Sequence, residues 1–213
     1  MKRILSFVLL AMTLIPSMAG NRTPEVRVTD LKAEYRTDPI GIDRTPGLSW
    51  KLESAENNVL QTAYRIIIAS SEENLNSARG DIWDSGKVES GEITGIIPAR
   101  VDLKSRTTYY WKVKSWITDG KVEAESEWSQ KAFFETGLLE RKDWYGGWIG
   151  YVPGMPGRVL YFKGTTFIGK EFAKARAYVS GLGFYELLVN GRKVGDHVLD
   201  PAQSTYSKRV YYT

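Results

Sequence analysis

The chain has 213 residues, 42% hydrophobic and 25% charged, with a formal net charge of +4 and no cysteine. That profile is a folding one, and it excludes disulfide frameworks, cysteine zinc sites and thiol nucleophiles, while a single histidine, His197, removes most support for Ser-His or Cys-His pairs. The basic residues are dispersed, so no basic stripe marks a nucleic-acid partner.

In chain order, Lys2 and Arg3 precede the apolar stretch 4–15, and Ser17-Met18-Ala19 supplies small residues at both positions of a cleavage signal. This predicts a secretory signal peptide over 1–19, cut after Ala19. The apolar stretch is shorter than the roughly 20 residues of a membrane span, and Pro16 interrupts it. The expected product is exported, periplasmic or secreted, close to neutral, and free of the membrane once cut.

Residues 26–137 read as an all-β sandwich. Runs at 26–33, 47–52, 61–70, 82–88, 94–97, 109–117 and 131–135 are apolar or alternating, and turn residues such as Thr37-Asp38-Pro39 and Thr118-Asp119-Gly120 separate them. Between 71 and 78, Ser71 followed by Glu72, Glu73 and Leu75 could cap one short turn, but the expectation is a loop. In Leu103-x-x-x-Thr107-x-Tyr109, followed by Trp111 and Val113, the tyrosine is placed to bond back to upstream backbone while its ring fills the core. With Trp50 as an early core aromatic and Trp128-Ser129 before the last strand, this region resembles a fibronectin type III domain. Ser105 stands two residues before Thr107, where such domains usually carry proline.

After a short polar connection at 138–142, a second unit is predicted over 144–213. Five glycines and two prolines between Gly146 and Gly157 make a loop. Runs at 160–168, 174–180 and 185–189 read as β, and Asn190-Gly191 before Lys193-Val194 is a strong hairpin signal. Gly181-x-Gly183 lacks the full dinucleotide spacing and a following helix. Asp196, His197 and Asp200 form a lone acid and imidazole cluster, read as a solvated loop because a metal site needs more ligands in fixed geometry. Trp148 and Tyr151 could stack on sugars if exposed, or pack between domains.

The succession Ala177-Tyr178-Val179-Ser180-Gly181-Leu182-Gly183-Phe184-Tyr185-Glu186, Leu187-Leu188-Val189-Asn190-Gly191-Arg192, Leu199-Asp200-Pro201 and Thr205-Tyr206-Ser207 resembles the N-terminal β-sandwich domain of bacterial α-L-rhamnosidases of glycoside hydrolase family 78. Trp148-Ile149-Gly150 and the preceding fibronectin-like domain fit that family's domain order. The resemblance implies an immunoglobulin or fibronectin III-like sandwich followed by an incomplete jelly-roll-type β-sandwich. The inverting hydrolysis of terminal α-L-rhamnose on glycans would then belong to a separate C-terminal barrel.

No catalytic residue of the family falls on this chain, and its sugar-binding residues are left unassigned. The resemblance also raises calcium, for which the chain shows no complete ligand set and no metal residue is assigned. Where the family carries a Pro-Gly-Trp-like triplet, this chain has Pro201-Ala202-Gln203-Ser204, which lacks an aromatic for a sugar ring. Residues 144–213, with a glycine-rich loop and no disulfide, would expose strand edges and half a sandwich core. The expectation is the non-catalytic N-terminal piece of a longer hydrolase, with a free-standing exported carbohydrate-binding or adhesion module as the alternative.

Overall fold

A computed structural model describes residues 25–150, 161–165, 167, 169, 171 and 174–213; the expected signal peptide and its Ala19 cut lie outside them. The chain divides into two compact units, one ending at Asp143 and the other spanning Trp144–Thr213. Nearly all regular structure is β, as the alternating runs require.

The first unit is a two-sheet sandwich. Strand β1 (Val26–Ala33) pairs antiparallel with β2 (Leu48–Ser54). The segment around Ile93 and Ile96 adds to the free side of β2, Trp50 N–H donating to the Ile93 carbonyl at 3.0 Å and Leu48 N–H to that of Ile96 at 2.8 Å. At the centre of the other sheet are β3 (Leu60–Ala69) and β6 (Thr108–Thr118). β3 is flanked by β4 (Trp83–Asp84) and β5 (Val88–Glu89), and β6 by β7 (Glu123–Glu125) and β8 (Ala132–Glu135).

Period-two alternation aims Tyr64, Ile66 and Ile68 of β3 and Tyr109, Trp111 and Val113 of β6 at Val28, Leu48 and Trp50 of the facing sheet, and these residues form one buried core. Trp50 meets Tyr64 edge-on at 5.3 Å between ring centroids, and Tyr109 stacks on Phe134 at 5.5 Å.

Four details differ from the sequence reading. The run 82–88 is two short strands, because Gly86 turns at φ +61° and Ser85 Oγ takes the Ile66 N–H at 2.9 Å. The run 94–97 contributes a single bridge, Ile96 to Leu48. The expected loop after β3 is a five-residue helix, α1 (Glu72–Asn76): Ser71 caps it through its side chain, and Leu75 buries against Ile67 and Ala69 on the outer face of the sheet. Strand β7 has no apolar alternation and exists because the far half of β6 offers it a ladder.

The gap between β7 and β8 is bridged by two serines. Ser126 and Ser129 accept the Ser115 and Val113 N–H groups on Oγ, both at 3.0 Å, and return their own N–H groups to the carbonyls of the same two residues at 2.8 Å. The outer side of β8 is covered in turn. Asp38 Oδ1 accepts from Phe133 N–H, the Pro39 carbonyl accepts from Glu135 N–H, and Ile42 bridges Thr136 in parallel. An edge so occupied offers no open ladder.

The second unit holds a hairpin, β9 (Leu188–Val189) and β10 (Arg192–Lys193), closed by Asn190 at φ +51° and Gly191 at φ +77°. Both signs fit the type I′ turn that the Asn-Gly dipeptide predicts. Single bridges join Ser180 to Tyr212 and Tyr185 to Asp200. The β-run expected at 174–180 is extended only at its end, where Val179 and Thr213 exchange N–H···O bonds at 2.9 Å beside the Ser180–Tyr212 bridge, and the described residues of the 160–168 run form no strand, the rest of that run lying outside the described residues.

Candidate functional site

Among the described residues, three clusters bear on the sequence reading. The first closes the end of the first sandwich. Tyr109 Oη accepts the Lys104 N–H at 2.8 Å, the back-bond expected of its position. Thr136 Oγ1 accepts from Thr107 N–H at 3.0 Å and donates to the Lys104 carbonyl at 2.6 Å. Ser105, where proline is usual, accepts the Leu139 N–H at 2.8 Å and donates to Asp143 Oδ2. A proline has no hydroxyl for either bond. The Ser105 hydroxyl, followed by the Glu140 N–H and the charges of Lys142 and Arg106, holds the Asp143 carboxyl below its usual range.

The second cluster lies on the outer face of the β3–β6 sheet, where the indole of Trp128 gathers three cations. Lys112 Nζ lies 5.0 Å from the ring centroid, Lys114 Nζ 5.7 Å and the Arg65 guanidinium 5.9 Å. Arg65 is held bidentately by Asp84 at 3.0 and 2.6 Å, and Lys114 by Glu125 at 3.2 Å. With two of the three charges paired, this face is suited to covering the sheet rather than to gripping a polyanion. In the sequence Trp128 marks only the approach to the last strand, because its cations come from strands far away along the chain.

The third cluster is in the second unit. His197 Nδ1 lies 3.2 Å from Asp200 Oδ2, so the structure joins these two and leaves Asp196 outside the pair. No group of three or more His, Cys, Asp or Glu among the described residues is arranged to hold a metal ion. Calcium takes six to eight oxygen ligands, and these residues do not fit it. Gly183 has φ +138° and is followed by the bridge residue Tyr185 rather than a helix, so no helix N-terminus faces a phosphate. Trp148 is 66% exposed, and Tyr151 lies outside the described residues.

Acid catalysis needs a carboxyl group raised toward neutrality. Among the described residues the carboxyls that leave their ordinary range are displaced downward, Asp30 by Lys51, Glu34 by the Gly47 N–H, Asp84 by Arg65 and Asp143 by Ser105, with Glu73, Asp81 and Asp119 lowered as well. Each is tied to a donor in a structural role. Among the described residues no helix is long and apolar enough to cross a membrane.

Residues 28–140 match the model of the Rha78A-like, N-terminal immunoglobulin domain, and residues 170–213 match that of the α-L-rhamnosidase N-terminal domain. An α-L-rhamnosidase of Formosa agariphila is 37% identical over 201 residues, covering 83% of this chain and 21% of the relative. One from Alteromonas sp. is 30% identical over 195 residues, covering 85% of this chain and 21% of the relative. The solved α-L-rhamnosidase from Dictyoglumus thermophilum superposes with a TM-score of 0.76 at 38% identity, over 90% of this chain and 23% of that one. The α-L-rhamnosidase of Streptomyces avermitilis complexed with L-rhamnose superposes with a TM-score of 0.52 at 40% identity, over 56% of this chain and 11% of that one. The chain spans about a fifth of the length of the curated relatives from Formosa and Alteromonas.

Proposed function

The chain belongs to the family of Rha78A-like N-terminal immunoglobulin domains, and from that premise we propose that it is the non-catalytic portion of an exported α-L-rhamnosidase that hydrolyses terminal α-L-rhamnose on glycans. The observation that carries this reading is the order of the two domain matches along one chain, the immunoglobulin domain at 28–140 and the rhamnosidase N-terminal domain at 170–213. Export rests on Lys2, Arg3, the apolar stretch 4–15 and Ser17-Met18-Ala19, and delivers the protein to the periplasm or the medium.

The test is an aryl α-L-rhamnoside assay on this chain and on a form extended beyond residue 213. Turnover by the extended form alone supports the proposal. Turnover by the chain by itself, or inactivity of the extended form, overturns it. N-terminal sequencing of the cell-free or periplasmic product is expected to begin at Gly20; a product retaining Met1 removes the export reading. Saturable binding of L-rhamnose by the chain would favour the stand-alone module.

A further inference from the structure

The connection that leaves the first sandwich reads as a short polar linker, yet its backbone is held at both ends. Arg106 N–H donates to the Gly137 carbonyl at 3.0 Å, and Leu139 N–H to Ser105 Oγ at 2.8 Å. The Ser105 hydroxyl then donates to Asp143 Oδ2, while the Arg106 guanidinium donates to the Asp143 carbonyl. Within the segment, Asp143 Oδ2 accepts the Glu140 N–H at 3.1 Å and the Asp143 N–H returns to the Glu140 carbonyl at 3.0 Å, winding Arg141–Asp143 into one 3₁₀ turn. Arg106 holds its place at φ +57°, a left-handed conformation that a residue with a side chain rarely adopts. The two residues that hold the connection are adjacent in the loop that Tyr109 braces through Lys104.

We propose that Ser105, Arg106 and Asp143 form a clasp that makes residues 138–143 a rigid extension of the first sandwich, so that whatever freedom the connection between the units has begins only at Trp144. A polar stretch of this length without the clasp would behave as a flexible coil whose ends wander by several ångströms per square root of residue number. With the clasp closed, the first unit presents a fixed exit point. The clasp uses two bonds of the Ser105 hydroxyl, and it stands whether or not the rhamnosidase reading holds, because it concerns bonds inside the first unit.

The experiment is amide hydrogen exchange and limited trypsin digestion on the full chain, wild type beside Ser105→Ala and Asp143→Ala. In wild type the amides of Leu139, Glu140 and Asp143 exchange at least tenfold slower than an unstructured peptide of the same sequence, and cleavage after Arg141 and Lys142 is slow. In each variant cleavage there accelerates at least tenfold while the protection of β3 and β6 is unchanged, and Ser105→Thr, which keeps a hydroxyl, restores part of the resistance. Unprotected wild-type amides over 139–143, or equal cleavage in wild type and both variants, would overturn the clasp. Loss of β3 and β6 protection in the variants also counts against it, since that assigns these residues to the whole sandwich rather than to its exit.

Discussion

The indole N–H of Trp50 on β2 donates to Oε1 of Gln61 on β3 at 3.1 Å, joining the two sheets through a polar bond beside the core. The same oxygen accepts from Ser115 Oγ at 2.9 Å, and the Gln61 amide nitrogen donates to the Ser90 and Glu92 carbonyls at 3.1 and 2.8 Å. All four bonding positions of the side-chain amide are used, and its orientation follows, because reversal would set donors against donors. The ladder between β3 and β6 shifts register between Gln61 and Ala63, which places this amide where it reaches four partners. Gln61→Leu is expected to leave the buried Trp50 N–H unpartnered and to lower stability by about 2 kcal/mol. Urea unfolding followed by tryptophan fluorescence measures it; an unchanged midpoint would show that water replaces the amide freely.

Tyr109→Phe isolates the corner bond. The ring would keep its stacking on Phe134, while the Lys104 N–H would lose its 2.8 Å partner. A loss of about 1 kcal/mol is expected, with faster amide exchange at Lys104 and no change at Val113. Equal exchange at Lys104 in the two proteins would mean that the back-bond contributes nothing.

Features that depend on one strand's own pattern are legible in the sequence alone. β1 occupies 26–33 as its alternation dictates, β3 and β6 fall within a residue of the expected runs at each end, and Tyr109 and Asn190-Gly191 take the conformations their neighbours imply. Features that need a distant partner are not. Glu123-Ala124-Glu125 has no strand pattern and becomes β7 only because Trp116, Ile117 and Thr118 lie opposite it. Ser105 looks like a missing proline until its hydroxyl meets Asp143, and Trp128 acquires Arg65, Lys112 and Lys114 only once β3 and β6 pair with Arg65 opposite Lys114. The acid and imidazole residues are neighbours along the chain, but proximity in sequence overstates the cluster, since only His197 and Asp200 meet.

The hairpin of the second unit gives a local test. Gly191 sits at φ +77°, where a side chain is strained even though open space surrounds it. Gly191→Ala is expected to weaken the hairpin by about 1 kcal/mol, read as faster exchange of the Val194 amide, which donates to the Leu187 carbonyl at 2.9 Å. Asn190→Gly, which keeps the turn geometry open, should leave that amide nearly as protected as in wild type. Equal exchange in Gly191→Ala and wild type would place the strain elsewhere in the turn.

Lys112 provides the clearest dependence on pH. It is 8% exposed, its ammonium faces the Trp128 ring, and among the described residues no carboxylate pairs with it, whereas Lys114 has Glu125 and Arg65 has Asp84. Burial, and then the like charge of Lys114, pull its pKa below the ordinary lysine value. As pH rises the folded state therefore sheds this proton before the unfolded state does. Between the lowered and the ordinary value the unfolded chain binds more protons, so the Lys112 contribution to stability climbs with pH and is least favourable at neutrality. Lys51, whose pKa is raised through its bond to Asp30, acts in the opposite sense at higher pH, but it is common to any pair of variants differing only at 112 and cancels between them. Lys112→Met keeps an unbranched stem against Trp128 and removes the buried charge, trading away a cation–π contact of about 1 kcal/mol for the larger relief of desolvation. The variant is expected to be more stable than wild type by about 1 kcal/mol at pH 7, with the difference shrinking steadily through the alkaline range. Urea unfolding at a series of pH values decides it: a Met variant less stable at pH 7, or a difference that does not change with pH, would mean that the Trp128 ring fully compensates the ammonium for the water it has lost.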